Sequence, residues 1–166
     1  MKIGLLSDTH GHAPRTAAAC RLLLDAGAAH LIHCGDIGGD SVLAELAAAV
    51  APKKVRVSAV LGNVDLWSDD YRFFPTNTGI DLLGRVGELS LDGIAMAIVH
   101  GDDAAALGRA IHSGKYRYVF TGHTHAFSDE RTGPTRVINR GAVYRSPHPG
   151  VALLDTADDT LSRMLL

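Results

Sequence analysis

The 166-residue chain has few cysteines, no long apolar run and almost no net charge. Its two cysteines, Cys20 and Cys34, form no CxxC pair, which favours buried free thiols over a disulfide and is typical of a cytoplasmic protein. No run of about 18 apolar residues occurs, so we expect no transmembrane helix and no membrane partner. The formal net charge of −2 gives no electrostatic reason to expect nucleic acid as an obligate partner.

Other absences concern the organisation of the chain. An acidic residue, Asp8, precedes any cleavage site of the secretory type, so we expect no signal peptide. Repeats, linkers and low-complexity tracts are also lacking. We therefore expect a single domain over residues 1–166, as a monomer or a homo-oligomer.

Apolar runs and turn residues predict the secondary structure. In the first half we expect strands at 2–6, 29–33 and 55–61, and helices at 15–26 and 42–50, the second helix capped by Ser41. The second half is mainly β, with strands expected at 88–91, 94–99, 117–121, 135–139, 151–155 and 160–165. Asp92-Gly93 indicates a hairpin turn, and a short helix is expected at 103–112.

The segment between the third and fourth predicted strands lacks a clean period. It holds Trp67, Tyr71, Phe73 and Phe74 among polar residues. We interpret it as a long loop or short helix packed over the sheet, and favour core filling over a lid or subunit interface.

Five of the predicted strands end in small, polar clusters that can ligate a metal, and glycine stands beside four of them. They are Leu6-Ser7-Asp8-Thr9-His10, His33-Cys34-Gly35-Asp36, Leu61-Gly62-Asn63, Val99-His100-Gly101 and Thr121-Gly122-His123-Thr124-His125. In α/β sheets ligands bind beyond the carboxyl ends of the strands, so these clusters are expected to meet in one crevice.

The last cluster carries two imidazoles separated by one residue. In an extended segment, His123 and His125 would point the same way, and Gly122 permits a sharp turn just before them. Alone, the pair is equally consistent with surface histidines, and the four other clusters decide in favour of a metal site.

Seven candidate ligands arise in total: Asp8, His10, Asp36, Asn63, His100, His123 and His125. They are too many for one tetrahedral zinc, but suit two ions that share a bridging carboxylate. Mixed oxygen and imidazole donors suit Mn, Fe, Zn or Co, whereas calcium prefers oxygen alone. Two divalent ions with two aspartates and a hydroxide leave a centre of about +1, which attracts a phosphoryl anion.

The order of these clusters resembles the motif series of the calcineurin-like metallophosphoesterases, most closely the small YfcE-type phosphodiesterase branch. The series D-x-H, G-D, G-N-x-D/E, H-G and G-H-x-H occurs here as Asp8-Thr9-His10, Gly35-Asp36, Gly62-Asn63-Val64-Asp65, His100-Gly101 and Gly122-His123-Thr124-His125. The resemblance implies an α/β fold, a four-layer αββα sandwich with two mixed β-sheets flanked by helices.

The same resemblance implies a ligand scheme. One divalent ion would take Asp8, His10, Asp36 and His125, and the second would take Asp36, Asn63, His100 and His123. Manganese is expected, with Fe, Zn, Ni or Co as alternatives. A metal-bridging hydroxide would attack the phosphorus of a phosphodiester, with bridging Asp36 and charge-stabilising Asn63 in catalytic roles and Asp65 supporting the site.

Two positions depart from the family pattern. Val64 stands where many relatives have a histidine that helps to protonate the leaving group. Asp102 and Asp103 follow His100-Gly101, and we favour a helix-capping role over repulsion of phosphate.

Rival functions are also judged on these motifs. A catalytically silent scaffold of the same fold, like the retromer subunit, would have lost ligating histidines, and none of the seven ligands is missing here. The HxHxDH pattern of metallo-β-lactamases and the GxGxxG of dinucleotide-binding domains are absent. The chain is also too short for an amidohydrolase barrel.

Further histidines and basic residues have weaker signals. His12 is either a phosphate contact or an exposed loop residue, and His33 is expected to be packed and hydrogen-bonded. His30, His112 and His148 are expected at the surface. Arg140, Arg145 and Lys115 are candidates for orienting a phosphate, and the sequence singles out none of them.

Overall fold

The computed structural model describes residues 1–65 and 78–166, which form two mixed β-sheets flanked by three α-helices. The expected α/β class is confirmed. The aromatic segment around Trp67 to Phe74 lies outside the described residues.

The elements of the described residues follow one another in this order: β1 (Lys2–Leu6), α1 (Ala13–Asp25), β2 (His30–His33), α2 (Asp40–Val50), β3 (Arg56–Ala59), β4 (Ile80–Leu82), β5 (Val86–Leu91), β6 (Ile94–Val99), α3 (Ala104–His112), β7 (Tyr118–Thr121), β8 (Phe127–Thr132), β9 (Thr135–Arg140), β10 (Gly150–Asp155) and β11 (Thr160–Leu165). Short 3-10 turns lie at Ala51–Lys53 and Asn63–Asp65.

The first sheet has the order β11-β10-β1-β2-β3-β4 and the second the order β5-β6-β7-β9-β8. Strands β1 to β4 are parallel, and so are β6, β7 and β9. Because the carboxyl ends of parallel strands share one edge, each sheet presents its strand ends as a row.

The two sheets face each other across a core that includes Ile3, Leu5, Ile32, Ile98 and Ile138. Helices α1 and α2 cover the outer face of the first sheet, and α3 covers that of the second. The layers are therefore helix, sheet, sheet and helix, as the sequence resemblance implied. Central strands such as β1 are apolar along most of their length because both faces are covered.

Some elements differ from expectation. Strand β8 was not predicted because its FSDERT sequence is polar and half exposed, as an edge strand that avoids aggregation often is. The three-residue β4 was also missed. Helix α2 begins at Asp40 after Gly39, without a side-chain cap, so the expected capping by Ser41 is wrong.

Both cysteines are free and buried, as predicted. Burial, with a smaller effect of Glu45, raises the pKa of the Cys20 thiol to about 12. Burial likewise raises the pKa of Cys34. Both thiols therefore remain protonated and unreactive at neutral pH. In the described part of the chain, no helix is both long and apolar enough to cross a bilayer.

A charged network closes the sandwich at the edge opposite the strand ends. The Asp159 carboxylate, in the β10–β11 turn, accepts hydrogen bonds from Arg136 (2.6 Å) and from the Tyr118 hydroxyl (2.9 Å). Arg136 also donates to Asp129 at 2.7 Å. The network therefore joins the first sheet to the second through charge-assisted bonds.

We expect Tyr118→Phe to lower the free energy of unfolding by about 1 kcal/mol, since it removes the partly buried hydrogen bonds of the hydroxyl to Asp159 and from Arg117, while Arg136 still satisfies Asp159. Urea unfolding at neutral pH measures the change. An unfolding midpoint equal to that of the unmodified protein would contradict this role of the hydroxyl.

Candidate metal centre

The candidate ligands follow β1, β2, β3, β6 and β7, and the structure brings them to the shared edge of the two sheets. Two groups of donors have all their ligand atoms within 4.8 Å of one another. The first is Asp8, His10 and His125, and the second is Asp8, Asp36 and His100.

In the first group two imidazoles and a carboxylate converge. The Nε2 atoms of His10 and His125 lie 3.2 Å apart, and His125 Nε2 lies 3.3 Å from Asp8 Oδ1. The other ring nitrogen of His125, Nδ1, lies 3.0 Å from the Arg145 carbonyl, which can only accept a hydrogen bond. This contact places the proton on Nδ1, so Nε2 keeps its lone pair for a cation.

The second group has the same design. His100 Nδ1 donates to the Cys34 carbonyl at 2.8 Å, and its Nε2 lies 3.3 Å from Asp36 Oδ1. The other carboxylate oxygen, Asp36 Oδ2, lies 3.8 Å from His10 Nε2. Asp8 belongs to both groups, and Asp36 directs one oxygen toward His100 of its own group and the other toward His10 of the first, the arrangement that a bridging ligand needs.

The remaining two candidates lie beside the second group. The His123 ring is 5.2 Å from the His100 ring, at 72°, and its backbone N–H donates to Asp8 Oδ1 at 3.3 Å. Asn63 opens the 3-10 turn after β3, and the next residue, Val64, donates its N–H to Asp36 Oδ1 at 3.0 Å. The His123 side chain is exposed, whereas His125 is partly buried.

Within the described residues, three buried atoms of this site that could ligate a metal lack a hydrogen-bond partner: Asp8 Oδ2, Asn63 Oδ1 and His100 Nε2. Buried polar atoms are nearly always paired, because an unpaired one loses its hydration without compensation. A pair of divalent cations would satisfy all three, one at Asp8 and the other at Asn63 and His100. The mixed carboxylate, amide and imidazole set also fits Mn, Fe, Zn or Co, so the residues present fit a metal centre.

Backbone conformation at the site is unusual. Five of the seven candidates have positive φ, namely Asp8 (54°), His10 (45°), Asp36 (54°), His123 (66°) and His125 (58°). The expectation that His123 and His125 lie in an extended segment is therefore wrong. Left-handed backbone costs roughly 1–2 kcal/mol for a residue with a Cβ, and such strain concentrates at functional sites.

Two glycines of the sequence motifs are required by close packing. A Cβ on Gly62 would lie 2.1 Å from Asp36 Oδ1, and one on Gly122 would lie 2.1 Å from Ser7 Oγ. Any larger residue at either position would displace the carboxylate loops. These contacts explain why glycine precedes Asn63 and His123.

Asp65 supports the site as expected. Its carboxylate accepts from the backbone N–H groups of Gly62 (2.8 Å), Ile37 (3.1 Å) and Gly38 (2.9 Å). These bonds fasten the loop that carries Asn63 to the loop that carries Asp36.

Asn139 has a matching role that sequence reasoning missed. Its amide donates to the Gly122 carbonyl at 2.6 Å and to Thr124 Oγ1 at 3.0 Å, which fixes the loop of His123 and His125. A signal for it exists in the sequence. Ile138-Asn139-Arg140-Gly141 is a sixth apolar run that ends in polar residues and glycine.

The other histidines divide into three cases. His12 Nδ1 accepts from the Arg15 N–H at 3.2 Å and caps α1, while its ring packs on Tyr144 with centroids 4.4 Å apart. The surface prediction for His30 is wrong, because its ring is buried and bonded to Ser58 at 2.9 Å. His112 and His148 are exposed, as expected.

The acidic pair after His100-Gly101 does not face the site as two free charges. Asp103 caps α3 by accepting from the Ala106 N–H at 2.9 Å, and Asp102 pairs with Arg85 at 2.6 Å. The capping interpretation is confirmed.

The pKa values of the candidate ligands are shifted in different directions. Burial opposes ionisation of Asp36, but His100 and the Val64 N–H outweigh it and lower the pKa of this carboxyl. Burial likewise opposes charge on His100, yet Asp36 and the Cys34 carbonyl raise its pKa. The pKa of His10 is lowered, chiefly by burial.

His33 is buried behind the site and fully hydrogen-bonded, as predicted. Its Nδ1 accepts from the Gly35 N–H at 3.2 Å, and its Nε2 lies 3.0 Å from Thr9 Oγ1. Thr9 in turn donates to the Ile37 carbonyl at 2.9 Å. Burial, followed by the charge of Arg140, lowers the pKa of His33 to about 3, so the ring that joins these loops is neutral.

The chain matches the model of the calcineurin-like phosphoesterase superfamily domain over residues 1–159. The chain belongs to this superfamily. It is 32% identical over 165 residues to a phosphodiesterase of Methanocaldococcus jannaschii, covering 94% of this chain and 93% of that protein.

Solved structures agree with the assignment to this superfamily. An archaeal phosphodiesterase superposes with a TM-score of 0.86 at 28% identity, over 100% of both chains. The YfcE phosphoesterase of E. coli superposes with a TM-score of 0.69 at 21% identity, over 99% of both, and this likeness is evidence for the fold alone.

We predict that acid destabilises the protein through His33. Between about pH 6.5 and 3 the unfolded chain takes up a proton at this ring and the folded chain does not, so stability falls as the pH is lowered through this window. His33→Asn should reduce the slope of unfolding free energy against pH by up to about 1.4 kcal/mol per pH unit.

Urea unfolding from pH 7 to 4 measures this slope, in chelator so that metal release does not contribute. His148→Asn, at an exposed position, is the control and should leave the slope unchanged. An equal slope in the His33 variant would contradict the assignment.

Proposed function

We propose that this protein is a phosphodiesterase whose centre of two divalent ions is held by Asp8, His10, Asp36, Asn63, His100, His123 and His125. The carrying observation is the position of the Asp36 carboxylate, which directs one oxygen toward His10 and the other toward His100. The similarity to phosphodiesterases supports the choice of substrate class.

When bound, the two ions would polarise the phosphoryl oxygens and activate water for in-line attack at phosphorus. The His10, His100 and His125 rings would hold them by Nε2. Hydrogen bonds from the Nδ1 atoms of His100 and His125 to carbonyls keep those two rings in the required tautomer. Asn63 would direct its carbonyl oxygen to the second ion and stabilise developing charge.

Manganese is the ion we propose to test first, since the donors are mixed oxygen and nitrogen. The two buried thiols agree with a reducing, cytoplasmic compartment, which stays a prediction. The single-domain organisation and the oligomeric state stay predictions too.

Among the basic residues of 1–65 and 78–166, we propose Arg145 as a contact for the substrate phosphate. Its backbone is left-handed (φ 56°) and its carbonyl accepts from His125, which fixes the residue at the rim of the first ligand group. Its guanidinium lies over the Tyr144 ring, 5.8 Å from the centroid, and the side chain is exposed. A cation held in this way can form paired hydrogen bonds to phosphoryl oxygens.

The function is tested by elemental analysis of purified protein together with a panel of phosphate mono- and diesters, including a bis-aryl phosphate and cyclic nucleotides. We expect bound divalent metal and diester cleavage that is at least about 100-fold slower after Asn63→Ala or His123→Ala. His112→Ala, at an exposed position, is the control.

Wild-type protein that binds no metal and leaves every ester intact would instead favour the silent-scaffold alternative. Activity on monoesters alone would correct the substrate class and leave the metal centre standing.

Arg145→Met is expected to raise KM for the diester about tenfold, with a smaller change in kcat, because it removes charge-assisted bonds to phosphate. Steady-state kinetics measure the two constants. Arg21→Met, on the exposed side of α1, serves as the control for loss of one positive charge. A KM equal to that of the wild type would show that Arg145 does not contact the phosphate.

A further inference from the structure

Arg140, the last residue of β9, is buried although its side chain is charged. Its exposed fraction is 2%, and it is among the largest fully buried side chains of the described residues. Among residues 1–65 and 78–166, no group accepts a hydrogen bond from any of its three guanidinium nitrogens. Placing a cation in this position costs stability, since its hydration is lost and no ion pair replaces it.

The strand register places this side chain beneath the metal centre. Arg136, Ile138 and Arg140 alternate along β9 and share one face, and Ile138 belongs to the core between the sheets. Arg140 therefore enters the same space at the end where β9 meets the ligand loops. The pKa of Arg140 is lowered by burial to about 10, and the charge of Asp8 is the main influence that opposes this.

Arg136 provides the contrast on the same face of the same strand. It is 8% exposed, but its guanidinium is paired with Asp129 and Asp159. Hydrogen bonds to Asp129, supported by Asp159, raise the pKa of Arg136. Two arginines thus flank Ile138, one serving the closed edge of the sandwich and the other facing the site without a carboxylate bonded to it.

We propose that Arg140 is a positioning residue that acts on the metal centre through Asp8. Its buried positive charge offsets part of the attraction of the ligand carboxylates for divalent ions and so limits how tightly these ions are held. This inference rests on the proposed metal centre. Asp8 and Asp36 together carry −2, so the +1 of Arg140 leaves the ligand set at −1 and weakens its attraction for a second cation.

A purely structural role predicts the opposite behaviour. A side chain needed for packing would lower the melting temperature when replaced and would alter metal affinity only through misfolding. A charge kept for its effect on the site can be removed with no loss of stability, because the neutral replacement no longer bears the cost of burying an unpaired cation.

The test uses metal-free protein of residues 1–166, prepared as wild type, Arg140→Gln, Arg140→Lys and Arg136→Gln. Calorimetric titration with MnCl2 gives affinity and stoichiometry, and thermal unfolding in chelator gives the melting temperature. The neutral variant Arg140→Gln should bind Mn²⁺ about tenfold more tightly than wild type and melt at the same or a higher temperature.

The other two variants separate charge from packing. Arg140→Lys keeps the charge and should retain wild-type Mn²⁺ affinity. Arg136→Gln should lower the melting temperature, because it breaks the ion pair with Asp129 and removes one of the partners of Asp159, while its Mn²⁺ affinity stays at the wild-type value. The gain of Arg140→Gln should persist in about 0.5 M KCl, since salt screens a buried charge weakly.

Three results would overturn the proposal: unchanged or weaker Mn²⁺ binding by folded Arg140→Gln, the same affinity gain in Arg140→Lys, or a clearly lower melting temperature of Arg140→Gln. A wild-type protein that binds no Mn²⁺, Zn²⁺ or Co²⁺ at all would instead refute the proposed metal centre on which this inference rests.

Discussion

Two buried carboxylates, Asp8 and Asp36, share a small volume with three imidazoles at the edge where both sheets end. Like charges this close repel one another in a medium of low dielectric constant, and a divalent cation is the simplest partner that relieves the repulsion. The surrounding structure keeps the donors together. The hydrophobic core between the sheets aligns their strand ends, and the helices on the outer faces hold the sheets in place.

Holding the candidate metal ligands in position strains the backbone of the loops that carry them. Five candidate ligands adopt left-handed backbone, which an isolated chain would rarely populate. Hydrogen bonds from side chains compensate for the conformational free energy that the left-handed backbone of these loops costs. Asp65 joins the second and third strand-end loops, Asn139 fastens the loop of His123 and His125, and neutral His33 connects Thr9 to the loop before Asp36. The stability of the hydrophobic core and these hydrogen bonds thus offset the backbone strain of a preorganised site.

Charged groups are paired at one end of the sandwich and partly unpaired at the other. At the closed end, Arg136 and Asp159 neutralise each other across the sheets, and Tyr118 completes the network. At the end that carries the candidate ligands, the carboxylates face imidazoles and buried polar atoms without hydrogen-bond partners. Arg140 lies behind them. This difference separates a part of the molecule that maintains the fold from a part suited to exchangeable ions and anionic esters.

Much of this was predictable from the amino-acid sequence. Apolar runs located the central strands, since strands buried on both faces must be apolar throughout, and the polar residues with glycine after each run identified the seven candidate ligands. The sequence could not reveal strand order, the polar edge strand β8 or the burial of His30. It also suggested an extended conformation for His123 and His125. The pairing of His125 with His10 and of His123 with His100 was implied only by the family resemblance, and the tertiary structure shows both pairs in proximity. These pairings depend on contacts between residues far apart in the chain, and local sequence carries no record of such contacts.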